Sequence, residues 1–122
     1  MLRAGFKVVK HAPHHGPRTH RLWLSPDLQK LWWQSIRDDD DPVAQFLVAD
    51  LHAILSHPPE RLVDPDRIPC CFMLVFNLGQ STGARVRRRM VVFEATTLES
   101  KYLLVDGFRL LKDVGLGVEP PG

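Results

Sequence analysis

The sequence predicts a mainly β domain closed by one C-terminal helix, and three observations predict it. Short apolar runs, β-branched or alternating, recur between breaks rich in Pro, Gly and Asp. The last apolar segment switches to a helical period. A length of 122 residues, with 44% hydrophobic and 25% charged content, suits one compact domain around one core. The order read from the breaks is about seven short strands and then the helix.

The first run, "GFKVVKH" (Gly5 to His11), is β-branched at its centre and reads as a strand, followed by "APHHGP" as a Pro/Gly-punctuated loop. "HRLWLS" alternates Leu22 and Leu24 against Arg21 and Trp23, the pattern of a half-buried strand. "SPDLQ" turns the chain at Pro26, and "KLWWQS" returns, giving an antiparallel hairpin of aromatic and aliphatic neighbours. "IRDDDDPVAQ" is a solvated loop, because consecutive aspartates repel and Pro42 cannot join a ladder. "FLVADLHAIL" reads as two short strands, and "SHPPERLVDPDRIP" as an irregular surface connection. "CCFMLVFN" is apolar enough to be a buried strand, partnered by "RMVVFEA" across the loop "LGQSTGARVRR". Finally Thr96 and Glu99 have capping-box spacing, Leu104, Phe108 and Leu111 recur at i, i+4 and i+7, and Gly115 with the terminal "EPPG" ends the helix.

Several function classes are set aside at this stage. No apolar run approaches the roughly 18–20 residues of a membrane span, and the N-terminus lacks a signal peptide's apolar stretch, so a cytoplasmic chain is expected, peripheral at membranes if it binds them. Cys70 and Cys71 are neighbours that a strand would point to opposite faces, which argues for reduced thiols rather than a disulfide. No Cys or His pair has metal-site spacing, so no metal and no cofactor are expected. Without a Gly-rich phosphate loop or a nucleophile elbow, no catalytic residues are assigned and the chain reads as a non-enzyme. Net charge is only +2, and the arginines lack interleaved exposed aromatics, so nucleic acid is not an expected partner.

The element order and several motifs together resemble the pleckstrin homology (PH) domain family, over Gly5 to about Gly115. "GFKVVK", "HRLWLS" and "LWWQS" look like its first three strands, and "CCFMLVF" and "VVFEA" like those before its helix. The helix "TTLESKYLLVDGFRLL" resembles those of phospholipase C delta-type and ELMO-type PH domains, with Leu104 standing where their Trp would be. The resemblance implies a single PH-like domain over 1–122, with a tail from 116, that is part of a longer protein. It implies a partly open barrel of seven antiparallel strands in two near-orthogonal sheets, capped by the helix. Leu22, Leu24 and Leu31 would then face the core, and some of Trp23, Trp32 and Trp33 must face outward, since period 2 cannot bury adjacent residues on one face.

What the resemblance implies for function is phosphoinositide or anionic membrane binding. Lys10 matches the family's first-strand Lys and Arg21 its second-strand Arg; Thr19 occupies a usual basic position with Arg18 beside it, and Ser35 and Arg37 match the third-loop contributors. A head group with several phosphates needs converging cations and forked donors, which Lys10, Arg18, Arg21 and Arg37 would supply. Lys7, His20, Arg85, Arg87 and Arg89 would supplement that patch, the last three as a stripe of alternate residues in "ARVRRR". His11, His14, His15 and His20 would add charge as pH falls. The alternative partner is a protein or a second copy of the chain, bound through exposed hairpin tryptophans and the arginine-rich edge.

Overall fold

A computed structural model describes residues 5–12, 15–36, 43–58, 63–78 and 87–117. Among these residues seven strands, β1 (Phe6–Ala12), β2 (His15–Leu24), β3 (Lys30–Ser35), β4 (Ala44–Leu47), β5 (Leu51–Leu55), β6 (Cys71–Leu78) and β7 (Arg87–Ala95), precede one helix, α1 (Leu98–Gly117). All pairings are antiparallel, in the order β4-β3-β2-β1-β7-β6-β5. β1 bonds β2 on one side and β7 on the other, so the two expected sheets are joined by hydrogen bonds into one.

That sheet is strongly curled. β4 and β6 stand five strand spacings apart, about 24 Å if the sheet were flat. Yet Phe46 of β4 and Phe76 of β6 have ring centroids 4.7 Å apart. Trp33 completes the closure, stacked on Phe46 at 4.8 Å and edge-on to Phe93 of β7 at 5.4 Å. Trp33 therefore joins Leu22, Leu24 and Leu31 in the core, while Trp23 and Trp32 are half-exposed on the outside.

The local devices follow residue chemistry. The β2–β3 turn is held by the Ser25 hydroxyl, which donates to Asp27 and accepts from the Lys30 amide at 3.0 Å, while Asp27 also accepts from the Gln29 amide at 3.1 Å. Leu28 takes a left-handed φ of 61° at its tip. "FLVADLHAIL" does split into two strands, β4 and β5, around a short 3-10 turn at Val48–Asp50. The first loop is shorter than expected, since β2 starts at His15 and a bulge near Lys10 absorbs the irregularity. A second 3-10 turn, Ile68–Cys70, takes Cys70 out of the strand that begins at Cys71.

The helix cap is Thr97 rather than Thr96: its Oγ1 accepts the Ser100 amide at 3.0 Å. Leu104 and Phe108 are buried as the period requires, with Leu111 packed partly against them, and Phe108 meets Phe72 at 6.1 Å. The helix continues past Gly115 to Gly117. Lys101, buried against the sheet, satisfies its ammonium by donating to the Ser56 carbonyl at 2.9 Å.

Candidate functional site

Strand alternation and register decide where each predicted site residue goes. Phe6 and Val8 of β1 pack with Leu22 of β2 on the inner, core side, so Lys10, two residues past Val8, continues that side. Its cross-strand partner is Arg18 and its partner on β7 is the buried Phe93. On β2, Arg18 and His20 share the parity of Leu22; on β3, Ser35 shares that of Trp33 and pairs with His20. Lys10, Arg18, His20 and Ser35 are thus brought together on the inner side at one end of the barrel.

The connections β1–β2, β3–β4 and β6–β7 all leave from this end, because the strands they join are antiparallel neighbours or continue past it. Arg87 and Arg89, exposed at the start of β7, have the parity of Val91 and Phe93 and extend the inner side beyond the end of β1. Arg37, Arg85, His14 and the four aspartates lie outside the described residues.

His20 and Ser35 are buried, unlike the exposed Arg18. The His20 ring donates through Nδ1 to the Arg18 carbonyl at 3.0 Å, which steadies the strand carrying the arginine.

The structure separates Arg21 from this group. It pairs with Lys7, three residues before Lys10, and both sit on the outer face. There Arg21 lies over the Trp23 ring at 4.8 Å, Trp23 meets Trp32 at 5.9 Å, and the Trp32 indole donates to Gln45 at 2.9 Å. Gly5, at φ +90°, makes room for this arginine: a Cβ there would stand 2.8 Å from Arg21 Nε. The family resemblance puts Lys10 and Arg21 in one motif, but an odd spacing on paired strands sends them to opposite sides.

A second cluster escaped the sequence altogether. On the outer face of β1, β7 and β6, His11 Nε2 donates to Glu94 Oε1 at 2.9 Å, and Arg67 Nε donates to the same oxygen at 2.9 Å. The Cys71 thiol donates to the Arg67 carbonyl at 3.3 Å. Burial, and then the Glu94 charge, push that thiol up to about 12, so it stays protonated. His11, Cys71 and Glu94 are far apart in the chain, so no local spacing signals their meeting.

No family model and no curated protein matches this chain. Solved structures do. PLC21 of S. officinalis aligns at a TM-score of 0.67 with 12% identity, covering 92% of this chain and 16% of that one. The Inner Membrane Complex Sub-compartment Protein 1 (ISP1) of Toxoplasma gondii aligns at 0.66 with 17% identity, over 91% of this chain and 84% of that one. The PH domain from TgAPH aligns at 0.61 with 13% identity, over 93% and 85%. At these identities the likeness is one of fold, and the fold is that of a PH domain. The chain spans about a sixth of the PLC21 structure.

Proposed function

We propose that the chain is a non-catalytic PH-like module that holds its parent protein at an anionic membrane surface, taking a phosphoinositide head group at the barrel end that carries Lys10 and Arg18. The observation that supports this most is their pairing across β1 and β2 on the inner side, next to Ser35 and in line with Arg87 and Arg89. Lys10, Arg18, Arg87 and Arg89 at roughly 1 kcal/mol each near an anionic bilayer give about 4 kcal/mol. That corresponds to a dissociation constant of about 1 mM, too weak to hold a protein alone. Forked hydrogen bonds to a multiply phosphorylated head group are the natural supplement.

The Arg21, Trp23, Trp32 and Gln45 ladder favours a second function, protein docking or self-association on the outer face, since Arg and Trp are the side chains richest in binding hot spots. Sedimentation with vesicles, with and without phosphoinositide, separates the two. The expected result is phosphoinositide-dependent pelleting that falls at least tenfold in Lys10→Ala/Arg18→Ala and persists in Arg21→Ala. Pelleting that ignores phosphoinositide, or that Arg21→Ala alone abolishes, overturns the inner-side site; light scattering across a concentration series tests self-association.

A further inference from the structure

The proposed lipid site leaves the outer cluster of β1, β6 and β7 unused. There an imidazole, a thiol and a carboxylate converge: the ligating atoms of His11, Cys71 and Glu94 all lie within 4.8 Å of one another. His11 is 5% and Cys71 0% exposed, and the Glu94 side chain 15%. The strand pairs hold them from three directions, with Glu94 opposite Cys71 on β6 and His11 one strand over on β1, opposite Val92. The small apolar cluster of Val63, Met73, Val75 and Val92 around Cys71 keeps the surroundings dry.

We propose that His11, Cys71 and Glu94 form a binding site for one zinc-type divalent cation. Nitrogen, sulfur and oxygen ligands on three side chains, with a fourth position left for water, are a set that zinc takes. A tetrahedron built from ordinary zinc bond lengths has edges of about 3.4–3.6 Å. The His11–Glu94 separation of 2.9 Å must open by about half an ångström, and the wider separations must close within their 4.8 Å limit. Side-chain torsions supply shifts of that size without moving the strands.

Proton accounting is simple. The metal takes the place of the Cys71 thiol proton, which leaves to solvent. His11 shifts its proton from Nε2 to Nδ1 to free the coordinating lone pair.

Arg67 is the built-in competitor. Its guanidinium neutralises Glu94 in the metal-free state, yet its side chain is 40% exposed and can turn into solvent when a dication takes its place. The cluster therefore already gathers positive charge at Glu94, and a divalent ion would exchange the Arg67 ion pair, the His11–Glu94 hydrogen bond and the Cys71 hydrogen bond to the Arg67 carbonyl for three coordinate bonds.

The test is titration of the full chain with Co(II) and with Zn(II), read by absorption and by calorimetry. The expected result is one ion per chain, a near-ultraviolet thiolate-to-cobalt charge-transfer band and a higher Tm with zinc. Cys71→Ser should abolish the band and weaken binding at least tenfold, and Glu94→Gln should weaken it at least tenfold. Because Cys71→Ser sits in the interior and can fail to fold, Arg67→Gln gives an independent reading: removing the competing cation should tighten binding several-fold. Absence of stoichiometric binding, binding without the charge-transfer band, or weaker binding in Arg67→Gln overturns the site. None of these readouts involves lipid, so their failure is separate from that of the membrane proposal.

Discussion

At the tip of the β2–β3 hairpin, Asp27 shows how one exposed carboxylate can organise a turn. Hydrogen bonds from the Ser25 hydroxyl and then the Gln29 amide hold its carboxyl below the usual carboxylate range. A carboxyl lowered in the fold contributes stability above its unfolded value, about 3.9, and loses it as pH falls through the folded value. Thermal denaturation should therefore show Asp27→Ala less stable than wild type at pH 6, with the difference shrinking below pH 4. A gap of constant size down to pH 2.5 contradicts that role. Single residues were unevenly legible in the sequence. Ser25 and Asp27 announce a turn by type alone. Arg21 looked like Lys10's companion because motif position says nothing of side-chain direction, and His11, Glu94 and Cys71 meet only through strand pairing.

At the scale of elements, α1 is anchored by its first turn and its buried stripe. Thr97 caps it, and Lys101, Leu104, Val105 and Phe108 face the sheet. Replacing Thr97 by Ala should cost about 1 kcal/mol, measured by denaturant titration with an unchanged slope. The same change at Thr96, exposed and one residue outside the cap, should leave the midpoint nearly where it was. The helix, its core stripe and the seven strands were readable, because hydrophobic period is a property of the local sequence. The sequence points to Thr96 because Glu99 gives it capping-box spacing, whereas the cap forms at the adjacent Thr97, whose Oγ1 accepts the Ser100 amide. The start of β2 reads as a loop because Gly16 and Pro17 signal one, whereas in the fold these two residues stand opposite His11 as a bulge between the Lys10–Arg18 and Ala12–His15 pairs.

At the scale of the whole molecule, the barrel depends on a few aromatic contacts that bring distant strands of one sheet together. Phe46 bridges Trp33 and Phe76, although it sits on an edge strand of only four residues. Phe46→Ala should destabilise the chain by roughly 3 kcal/mol, at the low end for a phenylalanine because its ring is partly exposed. A loss near zero would mean that closure rests on the helix instead. This part of the architecture was not legible in the sequence, which shows strands and their faces but not how far a sheet bends. The closeness to PH folds entered through motif order, and no composition statistic carries it.

The sheet's continuity through β1 bears on how the chain reaches its native state. His11 and Glu94, which tie β1 to β7, are 83 residues apart. During synthesis β1 can pair with β2 early, but its other edge stays open until β7, which follows five further strands, has left the ribosome. Such long-range pairing slows folding and leaves an unpaired edge at risk of association with other nascent chains.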